Sequence, residues 1–178
     1  MKKTRYIAEM GILFSLACAL QFLESLIPIP LPMGIKAGIS SIVVMYTLVS
    51  VGFGSAMTVA VLKSGFVFVT RGASAFCMSM CGGVLSVLVM GVLLALTKNK
   101  KNGTGIIFMS VTGGVFHNIG QLAAASFFAG SIYTFSYLPV LIIAGIASGI
   151  VTGIIFRFLI SNIGRKKCSL ERSNINNE

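Results

Sequence analysis

The side chains that could do chemistry in this sequence are few, and three of them interrupt a long apolar stretch. His117, Asn118 and Gln121 lie inside Gly105–Gly130, which carries no formal charge. If that stretch is a membrane-spanning helix, a rise of about 1.5 Å per residue places His117 roughly 18 Å from its start, near the middle of a hydrocarbon core about 30 Å thick. Polar groups at that depth are costly and face other helices or a watery cavity. Helix cross-linking and a ligand site are both open explanations.

Charged residues supply the other candidates for a binding site. Lys63 lies in the middle of an apolar segment, where an ammonium group needs a counter-charge, an anionic ligand or a watery cavity. Glu24 and Lys36 flank a proline-rich connection, and Arg71 follows the segment that carries Lys63. The excess of basic groups favours a small anionic or strongly polar solute. The alternative is that Glu24 and Lys36 are interfacial charges and that Lys63 pairs with Glu24 or with a carbonyl group.

Composition places the whole chain in a membrane. The 178 residues are 56% hydrophobic, with a mean hydropathy of +0.95. The net charge of +10 does not indicate nucleic-acid binding, because most of the positive residues precede the first apolar run, interrupt the middle of the chain or close it. Positive residues mark cytoplasmic loops, so this placement predicts a multi-pass protein of the cell inner (plasma) membrane with both termini cytoplasmic.

The apolar runs predict an all-α membrane protein, a six-transmembrane-helix bundle. Residues 1–163 form the transmembrane domain, and residues 164–178 form a basic, polar cytoplasmic tail whose composition predicts disorder. The six predicted spans cover approximately residues 6–27, 37–51, 54–70, 74–96, 105–130 and 137–160.

Small residues indicate where the helices approach one another. Gly11, Ser15 and Ala19 recur every four residues in the first span, which predicts a flat strip that meets a helix of the same bundle or of another subunit. Three glycines repeat at the same spacing in the sixth span and predict close helix packing. The Gly82–Gly83 pair permits either close packing or a break in the fourth span.

The connection after the first span contains prolines at alternate positions, which favours a stiff, extended segment. With six spans, this connection and Arg71 lie on the outer side. The candidate residues then line a pocket open to the exterior, with Glu24, Lys36 and Arg71 at its mouth and Lys63, His117, Asn118 and Gln121 deeper. No catalytic residue and no cofactor are expected. No metal site is expected either, since the four cysteines show no metal-binding spacing.

The sequence resembles a family of small bacterial membrane proteins described as Gx transporters and often labelled heptaprenyl diphosphate synthase component I. The resemblance extends to about Arg157 and departs from the family at Ser40-Ser41, where a small residue followed by Asn is common. It rests on four motifs: Glu24-x-x-Ile27-Pro28-x-Pro30-x-Pro32-x-Gly34-Ile35-Lys36-x-Gly38, Gly82-Gly83-x-x-Ser86, His117-Asn118-Ile119-Gly120-Gln121 and Tyr137-Leu138-Pro139.

In size and span count the family is similar to the substrate-binding S components of energy-coupling factor (ECF) transporters. That similarity implies an outward-facing solute site built by the first loop and the last three helices. It also implies that the strip of Gly11, Ser15 and Ala19 meets a transmembrane coupling subunit with its ATPases. The chain has no GxxxxGK[ST] phosphate loop, so energy must come from such a partner or from an ion gradient.

The family label suggests a second function, in prenyl diphosphate synthesis. That chemistry needs carboxylate clusters that hold Mg²⁺ around a diphosphate. The chain contains no Asp and only four Glu, so it is not expected to be an enzyme. At most it is a non-catalytic membrane component that accompanies a separate synthase.

Overall fold

The computed structural model describes residues 2–26, 38, 40–96 and 103–175. Within them the chain forms six α-helices and one short 3₁₀ helix, and no strand is assigned there. The helices are α1 (Lys2–Leu26), α2 (Ser41–Ser50), α3 (Phe53–Arg71), α4 (Ala73–Leu96), α5 (Gly103–Ala129) and α6 (Leu138–Ile175), with the 3₁₀ helix at Ile132–Tyr137. The prediction of an all-α bundle of six helices is confirmed.

Five of the helices are long and apolar enough to cross a membrane, and α2 is shorter. At about 1.5 Å per residue, the ten residues Ser41–Ser50 extend about 15 Å, half of a hydrocarbon core. The predicted span of residues 37–51 is therefore longer than the helix that the described residues form. Gly38 and Gly52 bracket α2 with φ angles of +73° and +129°, which L side chains rarely adopt.

The sixth helix is longer than predicted. It continues to Ile175 instead of ending near Ile160, and the character of the tail from residue 164 stays a prediction. Residues such as Arg165, Lys166 and Glu171 cannot build a hydrophobic core, but they are good helix formers, and no proline interrupts them. The sidedness of both termini stays a prediction.

Glycines set the antiparallel packing of α4, α5 and α6. A methyl group placed on Gly82 would lie 2.7 Å from the backbone oxygen of His117, so α4 is continuous there and pressed against α5. Similarly, Cβ atoms on Gly145 and Gly149 would lie 2.9 Å and 2.5 Å from Cα atoms of α5. The predicted glycine packing of the sixth helix is confirmed.

The buried charged and amide side chains lie toward one end of the bundle. In the half where α3 begins, here called the Phe53 end, buried apolar residues of α1 to α6 form the main core. Its largest fully buried side chain is Phe156, which makes an edge-on contact with Tyr46. Toward the opposite end, where α3 finishes at Arg71, the buried side chains of α1, α3 and α5 include charged and amide groups. The site therefore lies in the half of the bundle nearer the Arg71 end.

Candidate functional site

Ser40 is the centre of a buried hydrogen-bond network that joins α1 to α3. Lys63 Nζ donates to Ser40 Oγ over 2.8 Å. The Ser40 hydroxyl donates in turn to Gln21 Oε1 over 2.8 Å, and Glu24 Oε2 lies 3.3 Å away. Lys63 is 4% exposed and Glu24 is 6% exposed, so the bundle holds a cation and a carboxylate away from its surface. Hydrogen bonding and opposite charge offset the cost of burying them.

The sequence positions this network through helix geometry. Gln21 and Glu24 are three residues apart on α1 and therefore share a face. Ser40 occupies the N-cap position of α2 but makes no side-chain capping bond, because its hydroxyl serves the network instead. Lys63 lies in the second half of α3, deep enough for its ammonium group to reach the start of α2.

A second polar pair, on α5, faces the same space. His117 Nε2 and Gln121 Nε2 are 3.2 Å apart, as expected for residues one turn apart. His117 is buried and Gln121 is partly buried. On α4, Gly82 leaves room for both side chains, since a methyl group there would lie 2.8 Å from Gln121 Cγ. The missing side chain at Gly82 thus permits this polar pair to lie between two closely packed helices.

These groups line one cavity of about 70 Å³, here called the first cavity. One water molecule takes about 30 Å³ of liquid volume, so the space accommodates an ion or a small polar group. The lining residues are Gln21, Glu24, Gly38, Ser40, Lys63, Val67, Arg71, Ala75, Met78, Ser79, His117 and Gln121.

Arg71 marks the direction from which the first cavity is approached. It ends α3, eight residues or about 12 Å beyond Lys63, and its side chain is exposed. Among the described residues that line the cavity, Lys63 and Arg71 supply two cations and Glu24 supplies one carboxylate. The balance of charge in the first cavity is therefore positive, which suits an anionic group.

Five of the seven residues predicted to bind solute line this cavity: Glu24, Lys63, Arg71, His117 and Gln121. Asn118 does not line it. Its Nδ2 donates to the backbone oxygen of Leu141 on α6 over 2.9 Å. As the neighbour of His117 on a helix, Asn118 faces another direction and cross-links α5 to α6. Lys36 and the proline-rich connection lie outside the described residues.

Sequence reasoning missed three polar residues of the first cavity: Gln21, Ser40 and Ser79. The spacing of Gln21 and Glu24 was an available signal. Ser40 gave none, because a serine before a helix is the ordinary sign of an N-cap. Ser79 is not part of a recognisable sequence pattern either. In the structure its Oγ accepts a 3.2 Å hydrogen bond from Ser64 on α3.

The strip predicted on α1 is on the outside of the bundle. Gly11, Ser15 and Ala19 are all exposed, and a Cβ atom on Gly11 would meet nothing within 4 Å. Leu13 and Ala17, on the other side of α1, are buried. In the part of the chain that the structure describes, no helix of this bundle covers the strip at Gly11. A helix of another subunit remains the prediction for this surface.

No metal site accompanies these groups in the described ranges, where no cluster of three or more His, Cys, Asp or Glu residues could hold an ion. Fold and site together define a polytopic helical membrane protein with a buried, charged cavity. The model of the family described as heptaprenyl diphosphate synthase component I matches residues 13–159, and the chain belongs to this family. Neither the curated proteins nor the solved structures gave a match.

Proposed function

We propose that this protein is a membrane transport subunit that binds a small polar or anionic solute and works with a separate ATPase and coupling module, in the manner of an ECF S component. The observation that carries the proposal is the first cavity, where Lys63, Glu24 and His117 meet in the interior of an apolar bundle. A bundle that needed only stability would be better served by apolar packing, since buried ion pairs are often replaceable by hydrophobic residues without loss.

The charge of the cavity supports an anionic solute, and the position of the apolar core supports entry from the cell exterior. Lys63 and Arg71 outnumber Glu24 among the described lining residues, so an anionic group is favoured. The main apolar core around Phe156 lies toward the Phe53 end, which supports entry from the Arg71 end. With both termini cytoplasmic, as the positive residues predict, that entry faces the cell exterior of the plasma membrane.

Release on the other side needs movement and energy. The sequence contains no phosphate loop to bind ATP, so a partner supplies the energy in this proposal. The exposed strip of Gly11, Ser15 and Ala19 is the surface that we assign to the coupling subunit. It shares α1 with Gln21 and Glu24, and one helix therefore connects the solute site to the partner.

Retention of solute tests the proposal. The protein is purified gently and examined by native mass spectrometry for a small molecule that remains bound. Lys63→Met and His117→Ala are expected to abolish retention while the protein stays folded. Arg157→Met removes an exposed cation from α6 and is expected to leave retention unchanged. If the Lys63 and His117 variants both retain the molecule as the parent protein does, the site assignment is wrong.

The family name favours one other function, a non-catalytic membrane component that assists heptaprenyl diphosphate synthesis. With no Asp in the chain, the Mg²⁺-diphosphate chemistry would belong to a separate synthase. Affinity purification from native membranes separates the two proposals. Co-purification of ATPase and coupling subunits supports transport, whereas co-purification of a soluble prenyl synthase supports the alternative.

A further inference from the structure

The buried part of the first cavity contains a cation and a carboxylate that lie close together. Lys63 Nζ is 2.8 Å from Ser40 Oγ, and Glu24 Oε2 is 3.3 Å from the same oxygen. The sum of these distances sets an upper limit of about 6 Å between the two charged atoms, well within the range of strong interaction in a protein interior. Both side chains are more than nine-tenths buried.

Arg71, the other cation of the described lining, has a different environment. Its side chain is exposed at the end of α3, where solvent and salt screen its charge more than they screen a buried pair. Arg71 therefore attracts acidic solutes to the mouth of the cavity. Deeper in the cavity, the Lys, Arg, Asp and Glu residues among the described lining are Lys63 and Glu24 alone, one of each sign.

A solute with a single charge fits this interior poorly. A carboxylate that contacts Lys63 at about 3 Å lies no more than about 9 Å from the Glu24 carboxylate, and the bundle interior screens their repulsion weakly. A cation that contacts Glu24 meets the same difficulty with Lys63. A solute that carries both charges makes two attractive contacts, and the cost of burying each charge is then offset by a partner.

We propose that the solute of the first cavity is a zwitterion with an acidic group and an amine, as in an amino acid, and that Glu24 recognises the amine. This inference rests on the proposed function, because it takes the first cavity as the solute site. Lys63 binds the acidic group. The volume of about 70 Å³ suits a charged head group rather than a drug-sized molecule, and the rest of the solute extends toward Arg71.

Three probes with the same number of non-hydrogen atoms test the charge requirement. Glycine carries both charges at neutral pH, propionate has a methyl group in place of the ammonium, and glycinamide has an amide in place of the carboxylate. Binding of each probe to the purified protein in detergent is measured from the shift in thermal unfolding over a concentration series at constant ionic strength. Glycine is expected to bind about tenfold more tightly than either of the others, or better.

Glu24→Gln tests the assigned role of the carboxylate, because it removes the charge and keeps an oxygen that can accept from Ser40. This variant is expected to bind glycine about tenfold more weakly than the parent and to lose the preference for glycine over propionate. Glu9→Gln is the matched control, since Glu9 is an exposed carboxylate of the same helix, and it is expected to bind the probes as the parent does.

The proposal is overturned if the parent does not bind glycine or binds propionate as tightly. It is also overturned if Glu24→Gln prefers glycine as strongly as Glu9→Gln does. The comparison of probes on the parent protein does not depend on the folding of any variant. If native mass spectrometry identifies the retained molecule as an acid without an amine, the zwitterion is wrong and the proposed function stands. If retention survives in both the Lys63 and the His117 variants, the solute site itself is wrong.

Discussion

The network around Ser40 allows a sharp prediction about stability. Ser40→Ala removes one oxygen that accepts from Lys63 and donates to Gln21, both over 2.8 Å. In soluble proteins a bond to a charged group contributes about 1.5–3 kcal/mol and a neutral bond about 0.5–1.5 kcal/mol. In membranes the unfolded chain finds other partners, and single bonds there contribute about 0.6 kcal/mol on average, with a maximum near 1.7 kcal/mol. With two bonds lost, these membrane values add to about 1.2–3.4 kcal/mol, and we expect Ser40→Ala to lower the free energy of unfolding by that amount.

A double-mutant cycle separates the hydrogen bond from other effects of the substitution. Ser40→Ala and Lys63→Met are made singly and together, and the expected coupling energy is about 0.6–1.7 kcal/mol. Unfolding by SDS in mixed micelles is followed by far-UV circular dichroism, since the chain has no tryptophan for fluorescence.

Ser126→Ala is the control for removing a hydroxyl from this bundle. Ser126 donates only within its own helix among the described hydrogen bonds, to the Leu122 oxygen, and its loss is expected to cost less than about 0.5 kcal/mol. Additivity of the two single variants to within about 0.5 kcal/mol would refute the bond between Lys63 and Ser40 as a source of stability.

Three further variants test the packing and the roles of particular residues. Gly149→Ala is expected to destabilise the bundle by about 1–3 kcal/mol through overpacking against α5, whereas Gly65→Ala, with nothing within 4 Å of the added Cβ, should be neutral or slightly stabilising in the same SDS assay. Phe156→Ala should cost about 3–5 kcal/mol, because this ring is fully buried, and the exposed Phe158→Ala should cost under about 1 kcal/mol; equal losses would contradict the apolar core. Asn118→Ala should lower stability by about 0.5–2 kcal/mol through the lost bond to α6 and leave solute retention intact in native mass spectrometry; loss of retention would return this amide to the solute site.

Much of the fold follows from the sequence because a bilayer permits few architectures. An apolar run of sufficient length must satisfy its backbone groups internally, so the six apolar runs predict six helices and the all-α class, and five of those helices are long enough to cross a membrane. Glycines at four-residue spacing predict close contacts, and Gly145 and Gly149 make them. Burial of Lys63 and His117 was also predictable, because charged and polar side chains within membrane-spanning runs are rare and face the interior of the bundle.

The tertiary structure decided which of these polar groups share one space. Asn118 and Gln121 have the same depth and similar chemistry in sequence, yet one bonds to α6 and the other lines the first cavity. The short length of α2 and the position of Ser40 depend on the turn at Gly38 and on contacts with α1 and α3. No local pattern encodes such contacts.

The sequence by itself determined that this protein is a helical membrane bundle and that it buries costly polar groups. Only the packing of the helices showed that Glu24, Lys63 and His117 line the same cavity, while the strip at Gly11 is left exposed. The physical reason is that hydrophobicity and helix propensity are properties of neighbouring residues. A binding site is formed by side chains from separate helices. Its geometry depends on how each helix is rotated and where it contacts the next.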